Sequence, residues 1–163
     1  MRNMTTVERD VDLQLSQVKG SWEERLAQAL RLMQQANPAG LTLSQTLIDR
    51  LIGQPLQQRA AADHRLNKLL VAALINQAHH HAGEERFLAA TATLRYGAPH
   101  LPPDTARDLE SIALEYLLCD GQVETALAGF EALAQTGDLE NWVNAFFAAN
   151  RSGDAPRAQN YID

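Results

Sequence analysis

The chain has 163 residues with 14 Lys and Arg against 20 Asp and Glu, a net charge of −6, and 45% hydrophobic residues. That length and apolar content suit a globular domain with a real core and not a disordered chain. The acidic balance, with only Lys19 and Lys68 as lysines and no basic cluster, argues against a nucleic-acid partner, because a phosphate backbone would be repelled.

Twenty-six alanines and 24 leucines stand against 6 valines and 5 isoleucines, a balance that favours helix over strand. The longest apolar run, Leu69 to Ile75, falls far short of the roughly 20 residues needed to cross a bilayer, so no membrane partner is expected. The N-terminal stretch MRNMTTVERDVDL lacks an apolar signal region, which makes a cytoplasmic setting the expectation. A lone Cys119 cannot close an internal disulfide.

The prolines and most glycines fall where the apolar period breaks, dividing the chain into helices joined by short turns. Gly129 is the exception. A first helix is expected over about Thr6 to Lys19, with Val7, Val11, Leu15 and Val18 on one face. The next opens at Ser21, whose spacing to Glu24 is that of a capping box, and carries Trp22, Leu26, Ala29 and Met33 until Asn37 and Pro38 stop it. A shorter helix follows from Leu43 to Ile52, with Leu43, Leu47 and Leu51 in register and Gly53 as its stop. Leu56 to Ala82 reads as helical, interrupted near Asp63, a cap for its second part.

Beyond Gly83, Glu84 and Glu85 suit the positive end of a helix running to about Tyr96 and burying Phe87, Thr91 and Leu94. GAPHLPPD is the main turn-rich interruption, and its paired prolines start a helix with Leu109, Ile112, Ala113, Tyr116 and Leu117 on one side. Gly121 ends that helix, and a partner follows with Val123, Ala126, Leu127, Phe130 and Leu133. After Asp138, a further cap, Trp142, Val143, Ala145, Phe146 and Ala149 define another helix. Asp154 and Pro156 open the last.

The segments LCDGQVETALAGF and NRSGDAPRAQNYI align with an interval of 32, which relates Gly121 to Gly153 and Ala126 to Ala158. Each glycine lets the chain reverse between two helices, and the alanine five residues on lets the second helix lie close against the first. On Gly121, Val123, Ala126 and Phe130, and on Trp142, Gly153, Ala158 and Ile162, the chain resembles the tetratricopeptide repeat (TPR) family. The resemblance is clearest over Leu109 to Asp163. It implies an all-α fold of antiparallel helical hairpins stacked as a right-handed α-solenoid of about 8 to 9 helices. The single domain 1–163 would then comprise divergent helices over 1–53, a degenerate repeat over 56–97 and clearer repeats over 103–163.

Little in the chain points to catalysis, and no enzyme, metal or cofactor is expected. Adjacent His79, His80 and His81 point about 100° apart on a helix and cannot converge on one ion, so a solvated helix end is the plainer reading. The pairs His80 or His81 with Glu84 or Glu85 are interrupted by Gly83. Cys119 beside Asp120 reads as a half-buried structural thiol, and Ser111 and Ser152 lack the surroundings of an activated nucleophile.

Partner contacts are instead expected on the concave face that the resemblance implies, where the first helices of successive hairpins present Asn67, Gln77, Asn141, Asn144 and Arg151. Trp142, Phe146, Tyr161 and Ile162 are candidates for contact with another chain, through which the C-terminal end would form a homo-oligomer. The expected function is non-catalytic binding of a protein or peptide, as an adaptor or chaperone of the kind the family supplies to bacterial secretion. The alternative is a structural segment of a longer solenoid or a self-associating scaffold subunit.

Overall fold

In the computed structural model the described residues are 20–54, 65–136 and 139–161. They form eight α-helices and, among the described residues, no strand: α1 (Trp22–Gln34), α2 (Pro38–Ile52), α3 (Arg65–Gly83), α4 (Phe87–Gly97), α5 (Pro103–Cys119), α6 (Val123–Ala134), α7 (Leu139–Arg151) and α8 (Ala155–Gln159). The all-α class expected from the Ala and Leu content is therefore observed. Two compact units divide between His80 and His81. The expected helix over Thr6 to Lys19 and the caps Asp63 and Asp138 lie outside the described residues, as does Ile162. No helix among the described residues is long and apolar enough to cross a membrane.

In the first unit, α1 opens with the anticipated capping box: Ser21 Oγ accepts from the Glu24 N–H at 3.3 Å, and Glu24 accepts from the Ser21 N–H at 2.8 Å. Leu26, Ala29, Leu32 and Met33 are its buried face, while Trp22 stays half-buried with the Arg25 guanidinium 5.2 Å from its ring centroid. Helix α2 begins at Pro38, five residues before the expected Leu43. Asn37 accepts from the Ala39 N–H at 3.0 Å, and proline suits the first turn, whose N–H groups lack helical acceptors. The same Asn–Pro pair thus ends one helix and starts another. Leu43, Leu47 and Leu51 are buried as their spacing predicts, and Gly53 ends α2 in a right-handed conformation, φ −69°, that any residue can adopt.

Two polar links tie α3 to its neighbours in this unit. Arg65 forms a fork with Glu23 of α1, one arm at 2.6 Å, and Gln77 donates to Gln45 of α2 at 2.9 Å. Hydrogen bonds from Arg65 and from the backbone lower the Glu23 carboxyl to about 2.

The second unit is built on α4 to α8, each packed on the next. Thr91 donates to the Ala113 carbonyl at 3.2 Å and Arg95 grips Glu110 with bonds of 3.0 and 2.6 Å, fixing α4 on α5. The core gathers Leu114 and Leu117 of α5, Ala126, Leu127 and Phe130 of α6, Ala145, Ala148 and Ala149 of α7, and Ala158 of α8. Small residues on α7 and α8 let those backbones approach a core filled from α5 and α6. Val143, expected on the buried face of α7, is 50% exposed instead, and Ala148 takes the interior position. Near the N-terminus of α4, Glu84 and Glu85 precede the helix rather than occupying its first turn, which contains no acidic residue.

Four turns share one hydrogen-bond pattern. The N–H groups of Asn37, Arg86, Gln122 and Asp154 donate to carbonyls five residues earlier, at Leu32, His81, Leu117 and Ala149, with distances of 2.9, 2.9, 3.0 and 3.0 Å. The residue before each donor is left-handed: Ala36 (φ 53°), Glu85 (φ 59°), Gly121 (φ 84°) and Gly153 (φ 81°). The sequence singles out the latter two; at the others the motif is closed by residues that carry a Cβ, and Gly83 lies inside α3. A Cβ at Gly121 would meet no heavy atom within 4 Å, so any penalty for Gly121→Ala is conformational. That substitution is expected to cost about 1–2 kcal/mol, whereas Glu85→Gly is expected to gain about 0.5 kcal/mol, a sign difference that urea denaturation will read directly.

Candidate functional site

In the second unit, α5 and α7 are joined by side chains 30 and 33 residues apart in sequence. Ser111 Oγ donates to Asn141 Oδ1 at 3.1 Å and accepts from Asn144 Nδ2 at 3.4 Å. Asn141 is only 3% exposed, so its carboxamide is held in one orientation, and Asn144 beside it is half-buried.

Two hollows open along this seam. The larger, about 370 Å³, is walled by Arg107, Asp108, Ser111, Ile112 and Glu115 of α5 and by Glu140, Asn141 and Asn144 of α7. The smaller, about 170 Å³, lies toward the C-terminal ends of both helices, with Leu118 and Cys119 facing Phe147, Ala148 and Arg151 over the buried Phe130 of α6. Glu115 and Asn144 belong to both, which makes the two hollows one groove. Phe147 is 56% exposed beside it, while its ring meets Phe146 edge-on with centroids 5.4 Å apart.

Three of the residues selected from the sequence, Asn141, Asn144 and Arg151, line this groove together. Asn67 and Gln77 lie on α3 in the first unit, Asn67 half-buried and Gln77 buried against Gln45. Trp142 and Tyr161 pair with each other, centroids 5.8 Å apart, and Phe146 and Tyr161 pack on the core of the second unit. The residues missed are Arg107, Asp108, Ser111, Ile112, Glu115, Leu118 and Cys119 of α5, Phe130 of α6, and Glu140, Phe147 and Ala148 of α7. A signal for them existed: adding the 32-residue interval to Asp108, Ile112 and Cys119 gives Glu140, Asn144 and Arg151, so equivalent positions of two hairpins line one groove. Cys119, read as half-buried, is exposed at the end of α5.

A second polar cluster joins α8 to α6. Arg157 reaches Glu124 at 2.7 Å and Glu131 at 3.1 Å, and the Tyr161 hydroxyl donates to Glu131. Burial pushes the Tyr161 phenol above its usual range, and the Glu124 carboxylate, with the Tyr161 hydroxyl, holds Arg157 protonated. This cluster anchors the short α8. Among the described residues, no three His, Cys, Asp or Glu side chains come together as metal ligands, and His79, His80 and His81 lie on the last turns of α3.

No family model, curated protein or solved structure matches the chain.

Proposed function

We propose that this protein is a non-catalytic binding module, an adaptor or chaperone, whose α5/α7 groove receives a short segment of another protein. The observation that carries the reading is the groove itself: fixed carboxamides at its floor, which match a peptide backbone in hydrogen-bonding character, beside the uncovered Phe147 ring. The arrangement is that of two TPR-like hairpins, α5/α6 and α7/α8. Support comes from the matching left-handed Gly121 and Gly153, the buried Ala126 and Ala158 that follow them, and cross-hairpin bonds at intervals of 30 and 33 residues. Stacked first helices of such hairpins form one face of a groove in an α-solenoid.

Peptides selected on the immobilised protein from a random decapeptide display library test the reading. They are expected to bind with 1:1 stoichiometry and to lose at least about tenfold in affinity on Asn144→Arg, which fills the point where the hollows join. Selected peptides that bind both Asn144→Arg and Phe147→Glu as tightly as the parent would sink it.

A second reading, a self-associating scaffold subunit, is favoured by Val143 and Phe147, which lie one helical turn apart on α7 and are 50% and 56% exposed. Light scattering separates the two. Self-association predicts a dimer that Val143→Glu with Phe147→Glu converts to monomer, whereas the docking module is a monomer without its peptide.

A further inference from the structure

Resting on the docking reading, we propose that the groove is selective for a segment carrying a lysine or arginine beside an apolar side chain, the basic group entering the larger hollow and the apolar one the smaller.

The argument is charge and surface complementarity. The larger hollow presents the carboxylates of Asp108, Glu115 and Glu140, and its one cation, Arg107, has its guanidinium 2.7 Å from Asp104. A cationic side chain entering there meets excess negative charge in a concave setting, where water is partly displaced and each attraction is stronger than on an open surface. The smaller hollow has the opposite character. The half-buried Leu118 and the exposed Phe147 border it over the buried Phe130 and Ala148, so an aliphatic or aromatic side chain covers the faces of Leu118 and Phe147 that otherwise meet water. Arg151 at its rim offsets the Glu115 carboxylate there, and the fall in negative charge along the groove fixes which way the segment lies. An acidic segment would meet three carboxylates at one end. The recognition element is therefore bipartite, with Glu115 and Asn144 at the junction serving both halves.

The peptides selected from the random library carry the test. Sequences enriched in Lys or Arg next to an apolar residue are expected. A synthetic copy of the most enriched one should lose about five- to tenfold in affinity, by fluorescence anisotropy, on combining Asp108→Asn with Glu115→Gln, and should weaken as salt rises from about 50 to 500 mM. Both replaced residues are exposed, so the fold is retained, and circular dichroism checks that it is. Neutral or acidic peptides that Asn144→Arg or Phe147→Glu displaces, but that the carboxylate variant binds unchanged, overturn the basic–apolar assignment and leave the docking reading in place. Peptides insensitive to Asn144→Arg and Phe147→Glu alike, or no enrichment at all, overturn both.

Discussion

Phe130→Ala is expected to lower the stability of the second unit by about 3–5 kcal/mol, read as a shift of the urea midpoint followed by circular dichroism. Phe130 is 1% exposed, the first by volume among the fully buried side chains, and it shares a core with Leu114, Leu117, Leu127 and three alanines of α7. The upper end of the range is expected because of those alanines. Ala145, Ala148 and Ala149 end at Cβ and have no rotamer with which to move into the vacated space, so a cavity persists unless a whole helix shifts. Natural domains are stable by only about 5–15 kcal/mol, and the loss is a large share of that. Phe130 also floors the smaller hollow, so peptide affinity should fall with stability in this variant.

The helices were legible where one physical signal dominates. The Ser21 and Glu24 capping box, the leucines of α2 at four-residue spacing and the paired prolines that open α5 each satisfy a local requirement that neighbouring sequence does not contest. Boundaries were less legible where one residue serves two elements, as at Asn37 and Pro38. Left-handed turns closed by Ala36 and Glu85 were invisible because neither residue type carries that conformation as a preference; the hydrogen bonds of the turn hold them there. Val143 and Ala148 show a different limit. Hydrophobic periodicity favours the larger side chain for the interior, whereas the close approach of α7 to the core selects the smaller.

The groove was half legible for a related reason. Asn141, Asn144 and Arg151 follow from repeat topology, yet the carboxylates opposite them sit on α5, and only the 32-residue interval brings Asp108 and Glu140 to equivalent positions. Ser111 lacks the sequence surroundings of an activated nucleophile. Its observed role is to orient two carboxamides, which depends on a helix 30 residues away.

Gly40→Ala is expected to cost about 1–3 kcal/mol, although alanine is the better helix former. A Cβ at Gly40 would lie 2.5 Å from the Met33 nitrogen and 2.8 Å from the Leu32 carbonyl carbon, both backbone atoms of the last turn of α1. That turn has little freedom to yield. The Asn37 N–H bonds the Leu32 carbonyl at 2.9 Å and Ala36 is already left-handed, so relief requires α1 and α2 to separate along the face that buries Ala29, Leu32 and Leu43. Gly129 provides the contrast within α6. Its added Cβ would come within 2.3 Å of Leu114 Cδ2, but a leucine side chain can change rotamer, and the helix-propensity gain of about 1 kcal/mol offsets much of the strain. Thermal denaturation of the two variants should therefore rank Gly40→Ala well below Gly129→Ala. Equal melting temperatures would mean that α1 and α2 do not approach backbone to backbone at Gly40.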